Sequence, residues 1–264
     1  MNLLLLNSQF EILLANLTNP TLLFFLLGIV AGLLKSDLQI PEPSIKFISL
    51  YLLFSIGFKG GQELQHSGWN NEISFSLLLG TGLALLIPFY CFFLLKKRVG
   101  VSNAGAIAAS YGSVSAITFV AAVTFLEMRG LTFGGHMIAV MALMEFPAIV
   151  MGFILIMRFE KNREGLPGLR GIVQHALSNG SVLMIMGSLV IGIVADSKQA
   201  EGIKPFTTDI FKGFLAIFLL EMGLITVRRF SSFTKYGRFV LFFAILIPLV
   251  NGVLGAILSA GITN

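Results

Sequence analysis

Eight apolar runs, separated by short polar loops, leave this chain few folds to adopt. They cover residues 20–34, 44–58, 73–95, 103–127, 135–158, 180–195, 205–227 and 236–260. A helix needs roughly 20 apolar residues to cross a bilayer, and shorter ones suffice where protein surrounds them. The second and sixth runs are short, as happens in transporters with interrupted or enclosed spans. Only 12% of the 264 residues are charged, whereas a soluble domain would carry about a quarter. Mean hydropathy is +0.90. The expectation is an all-α polytopic membrane protein with about eight spans.

The loops predict an orientation. A net charge of +5 would suit a nucleic-acid partner if it formed one face, but the basic residues fall in clusters between apolar runs. Thirteen of the 18 Lys and Arg lie on one side: Lys35, Lys46, Lys96, Lys97, Arg98, Arg158, Lys161, Arg163, Arg170, Arg228, Arg229, Lys235 and Arg238. Lys59, Arg129, Lys198, Lys204 and Lys212 lie on the other. The positive-inside rule makes the first side cytoplasmic and puts the N-terminus outside. Cys91 is the only cysteine, which excludes an intrachain disulfide. The N-terminus has no basic n-region and no small-residue cleavage site, so no cleaved signal peptide is expected.

The chain also resembles itself at an offset near 160 residues. Residues 19–37 (NPTLLFFLLGIVAGLLKSD) align with 179–197 (NGSVLMIMGSLVIGIVADS), placing Gly32 over Gly192. Residues 49–61 align with 213–225, and 84–95 with 243–254, with Pro88 over Pro248. Five spans precede the restart, and an odd number turns the second copy over in the membrane, as in inverted-repeat secondary transporters. The expected units are a first five-helix repeat over 1–160 and a partial second repeat over 161–264. Counterparts of the fourth and fifth spans do not appear before Asn264, so the expectation is a truncated second repeat.

Polar residues inside the bilayer are costly and rank first as functional candidates. The fourth run contains SYGSVSAITF, residues 110–119. Two readings fit it. In one, small residues let helices pack closely and the serines bond back to carbonyls. In the other the helix breaks near Gly112 and Ser113, Ser115 caps a second half-helix, and Thr118 sits in its first turn. From Ser115 to Glu127 such a half-helix would run roughly 18 Å, placing the break near mid-membrane. Its N-terminus would offer N–H groups and partial positive charge to an anion. Upstream carbonyls and hydroxyls would suit Na⁺.

Glu145, two residues before Pro147, is an acid about midway along the fifth run. Its carboxyl must be protonated, paired with a cation or wetted by an internal path. Glu221 is a second intramembrane acid, nearer its helix end, and Asn251 is a candidate for helix packing or substrate contact. His66, His136 and His175 fall in loops or at run ends, where solvation is expected. GFKGGQEL, residues 57–64, reads as a helix end and turn. No nucleophilic triad, phosphate loop or zinc motif can be assembled, so an enzyme is not expected and no cofactor is required.

IGFKGGQEL, YGSVSAITFVAAVTFLE, MEFPAIV and FLLEMG, in this order, resemble the sodium-dependent bicarbonate transporter family, best known from cyanobacterial carbon-concentrating systems. The resemblance implies ten spans as two inverted five-helix repeats, a gate and a core domain, and commonly a homotrimer. It implies substrate and Na⁺ bound where two interrupted helices meet. It also implies a possible PII-like regulatory partner, although the central loop over 160–174 is short. The family's G-A-V-S-G-S-T pattern at the break becomes Gly112-Ser113-Val114-Ser115-Ala116-Ile117-Thr118. Its acidic D-I-P-A position becomes Glu145.

The expected protein is thus a multi-pass permease of the bacterial inner membrane, coupling inward Na⁺ movement to uptake of bicarbonate or a similar small anion. Gly112, Ser113, Ser115 and Thr118 would contact substrate, and Ser113, Ser115 and Glu145 the cation. A permease for another solute and a non-transporting membrane scaffold or regulatory protein stay open as alternatives.

Overall fold

The structure is a computed structural model. It describes residues 18–115, 118–119, 122–123, 126, 130–131, 133–160, 170–171, 173–174 and 178–261, without the side chains of 231–236. Ala116, Ile117, Glu127, Arg129, Lys161, Arg163 and His175 lie outside the described residues, as does the Lys235 side chain.

Among the described residues eight α-helices are defined: α1 (Pro20–Leu33), α2 (Glu42–Ser67), α3 (Asn71–Val99), α4 (Val101–Gly112), α5 (His136–Phe159), α6 (Gly180–Val194), α7 (Ser197–Lys204) and α8 (Phe211–Ala260). A π-helical turn, Pro205–Asp209, joins α7 to α8. There is no strand among the described residues. Four stretches among the described residues are long and apolar enough to cross a membrane: α3, α5, Ser197–Phe230 and Gly237–Ala260. The apolar helices α1 and α6 are shorter.

Local sequence sets several of these boundaries. Asn19 begins α1 by accepting from the Thr21 N–H at 3.0 Å, with Pro20 in the first turn. Asn179 begins α6 in the same way, accepting from Ser181 and Val182. Asn70 caps α3 through the Ile73 N–H at 2.8 Å. Each side chain satisfies a backbone donor that the first helical turn leaves open.

Glycines then let helix backbones meet. A Cβ on Gly28 of α1 would stand 2.1 Å from the Leu220 carbonyl oxygen of α8, and one on Gly223 would stand 2.2 Å from the Phe25 oxygen. Helix α2 meets α6 likewise, with a Cβ on Gly61 only 2.2 Å from the Leu189 oxygen and one on Gly192 2.3 Å from the Phe58 oxygen. Between apolar helices in lipid, such close approach supplies the packing that hydrophobic burial alone does not.

Three expectations need correction. The turn expected at residues 57–64 is not formed, because α2 continues through it to Ser67. Its glycines are contact points, and its polar side chains have distant partners. Gln62 Nε2 donates to the Gly192 and Ala195 carbonyls at the end of α6. Second, the loop expected after residue 227 is helical. α8 runs on to a break at Gly237, whose φ of 74° and ψ of −177° belong to glycine. Third, His136 is buried rather than solvated; it opens α5 with a ring nitrogen 3.4 Å from Ser76 Oγ of α3.

The Gly237 break gives one test. Among the described residues no atom outside its own stretch of chain lies within 4 Å of a Cβ placed there, so Gly237→Ala meets no steric obstacle from them. Backbone strain alone is expected to lower stability by about 1–3 kcal/mol. The midpoint of heat-induced unfolding in detergent should fall accordingly, and an unchanged midpoint would show that the break relaxes freely.

Beyond Gly237, the second limb of α8 lies against α3. Ile87, Cys91 and Phe92 pack with Phe243 and Ile247. The Tyr90 hydroxyl donates to Asn251 Oδ1 across this contact.

Candidate functional site

The interruption expected in the fourth run is present. Helix α4 stops at Gly112, and Ser113 is extended with φ −102° and ψ 159°. Helical bonding resumes after Ser115, whose carbonyl accepts from the Phe119 N–H at 2.9 Å. Accepting the first helical bond while standing outside the helix is the property of a cap position. Residues 118, 119, 122 and 123 are helical, so Thr118 lies in the first turn, as expected.

Packing holds the break in place. A Cβ at Gly112 would lie 2.3 Å from Pro88 Cγ of α3 and 2.9 Å from the Ala148 Cβ of α5. Glycine is therefore required here by proximity: the α3 proline ring occupies the space a side chain would need. Pro147 of α5 has no N–H to return to the Leu143 carbonyl, which loosens the turn that carries Glu145.

Between these elements lies a cavity of about 470 Å³. Ser110, Ser113 and Ser115 line it on one side and Glu145 on another. Ser113 and Glu145 thus share one lining. Leu53 and Ile56 of α2, Ala109 of α4, Val114, Met141 and Ile149 of α5, and Ile185 of α6 form the apolar remainder. No Lys or Arg lines it among the described residues. The lining side chains thus offer one carboxyl group and three hydroxyls inside a largely apolar shell. Hard cations take such oxygen donors. Among the described residues no group of three or more His, Cys, Asp or Glu is placed to hold a metal ion.

The structure thus brings Ser113, Ser115 and Glu145 together. Gly112 and Thr118 do not line the cavity: Gly112 packs on Pro88 and Ala148, and Thr118 is exposed. Glu221 and Asn251 do not line the cavity. Glu221 is 6% exposed, and its Oε2 has no hydrogen-bond partner among the described residues. Asn251 is engaged by Tyr90, the helix-packing reading of the two expected for it. Ser110 joins the site without having been singled out, although it belongs to the same hydroxyl-rich stretch. Its Oγ donates back to the Ala106 carbonyl at 3.1 Å. The apolar lining from α2 and α6 carries no sequence signal, because nothing distinguishes it from a lipid-facing residue.

Among the described residues, four apolar stretches of membrane length mark a multi-pass membrane protein. The sequence model of the Na⁺-dependent bicarbonate transporter superfamily matches residues 20–264, and the chain belongs to that superfamily of transporters. The resemblance read from the motifs is thereby borne out. No curated protein matches the chain with significant similarity.

Proposed function

We propose that the protein is a secondary active transporter that couples Na⁺ entry to uptake of bicarbonate or a similar small anion by alternating access. The observation that carries this reading is the charge of the cavity. An anion entering an apolar cavity lined by Glu145, with no Lys or Arg among the described lining residues, meets no compensating side chain. A Na⁺ held by Glu145, Ser113 and Ser115 would supply that charge. The half-helix beginning at Ser115 would offer N–H groups to the anion. Coupling would then follow from electrostatics, since neither ion is well accommodated without the other.

Several features support an inverted repeat beneath this mechanism. Asn19 and Asn179, paired by the repeat, both cap their helices. α1 packs on the first limb of α8, while α2 packs on α6, the exchange of partners that a two-fold relation between the copies requires. The helices carrying Pro88 and Pro248 meet each other through Tyr90 and Asn251. On this reading α1, α2, α6 and the first limb of α8 form a gate, α3 to α5 belong to the core, and the cavity lies where the two meet. A homotrimer and a PII-like partner are further parts of the proposal, drawn from the family resemblance.

The test is uptake of labelled bicarbonate into proteoliposomes. An inward Na⁺ gradient should raise the initial rate at least tenfold over an equal K⁺ gradient. Counterflow with nitrate, formate and bicarbonate then ranks the anions. Equal rates in Na⁺ and K⁺ would remove the coupling ion from the proposal, and no uptake of any anion would favour a scaffold.

A further inference from the structure

We infer that the end of α3 bearing Lys96, Lys97 and Arg98 is a binding site for the headgroup of an anionic phospholipid. The Lys96 ammonium lies 4.0 Å from the Phe159 ring centroid, 4.2 Å from that of Phe93 and 5.8 Å from that of Phe92. These rings come from two helices, so α3 and α5 together hold one cation in a fixed place. Among the described residues the partners of Lys96 are ring faces and no carboxylate. A ring face attracts the ammonium through its quadrupole without neutralising its charge.

The surroundings match an amphiphile rather than a free ion. Arg98 lies 4.9 Å from the Phe239 ring of α8, which brings a third helix to the same end of the bundle. Arg158 closes α5 beside Phe159, at 5.8 Å from its ring. Glu160 is the nearby acid, and it accepts from Ser102 Oγ at 3.1 Å. Among the described residues, Lys96, Arg98 and Arg158 thus lie against rings that α3, α5 and α8 bring together. Directly along α3, Phe93, Phe89 and Leu86 are exposed, and their spacing of four and three residues puts them on one helix face. That stripe leads from the lipid-facing middle of the helix to the caged ammonium. A phosphodiester at the basic end with acyl chains along the stripe satisfies both halves. Basic pockets between membrane helices recognise anionic headgroups through this combination.

Native mass spectrometry of the purified protein with equal amounts of phosphatidylglycerol and phosphatidylcholine tests the inference. Wild-type protein should retain phosphatidylglycerol at least fivefold over phosphatidylcholine. The K96Q/R98Q double variant should lose most of that preference, while K198Q/K204Q, at another part of the molecule, should keep it. Phe159→Leu, which keeps every charge and removes one ring, should reduce retention about two- to threefold and guards against misfolding of the double variant. Equal retention of both lipids by wild type overturns the inference, as does an unchanged preference in K96Q/R98Q. Displacement of the lipid by soluble glycerol phosphate at equal concentration also overturns it, because the apolar stripe would then contribute nothing.

Discussion

Glu145→Gln is expected to raise the Na⁺ concentration needed for half-maximal uptake by on the order of 10- to 100-fold, the usual cost of weakening an ion's ligand set. That corresponds to about 1.4–2.7 kcal/mol of binding free energy. The substitution preserves shape and one carbonyl oxygen, so it removes charge with little change in packing. Ser113→Ala should act in the same direction with a smaller effect, about tenfold. It removes one of the hydroxyls that line the cavity with the carboxyl and leaves the charge in place. The two effects should fall short of additive, since both act on one site. Saturating Na⁺ should restore much of the maximal rate in both variants. A maximal rate that collapses while Na⁺ affinity is unchanged would instead make Glu145 a structural residue, and the cation would have to bind elsewhere.

The second large effect is expected at the contact between α2 and α6. A Cβ at Gly61 would lie 2.2 Å from the Leu189 oxygen, 2.7 Å from the Ile193 nitrogen and 2.8 Å from the Gly192 carbonyl carbon. All three are backbone atoms, which have no rotamer by which to withdraw. Gly61→Val must therefore push the helices apart, separating Gln62 from the Gly192 and Ala195 carbonyls it caps. Overpacking of this kind costs typically 1–3 kcal/mol and more where the backbone itself must move. Gly82→Ala is the internal control, because nothing lies within 4 Å of its Cβ. The expected result is a lowered unfolding midpoint and loss of the monodisperse peak in size exclusion for Gly61→Val alone. Equal behaviour of the two variants would mean that α2 and α6 do not depend on this contact.

What the sequence revealed of this fold and site follows from how polar groups behave in lipid. Ser113, Ser115 and Glu145 were legible because hydroxyls and an acid inside apolar runs demand partners, and Gly112 because it offers a place to break. The Asn-initiated restart at Asn179 was legible because it repeats that at Asn19. The course of α2 was not. Lys59, Gln62 and Glu63 look like loop residues until the partners of Gln62, more than a hundred residues away, are known. His136 misled for the same reason, since its burial depends on α3. Leu53, Ile56 and Ile185 could not be found at all. Facing a cavity and facing lipid select the same side chains, and only tertiary structure separates them.

The meeting of Pro88 with Gly112 has a mechanical consequence. With the proline ring filling the volume of an absent side chain, α3 and the end of α4 cannot shift against each other by a methyl group without collision or void. The broken segment and α3 are thus one rigid lever. The Tyr90 hydroxyl extends it to the second limb of α8. A displacement at the break is therefore delivered to the second limb of α8, whose Phe243 ring also rests on Tyr111 at 5.2 Å, without passing through the cavity.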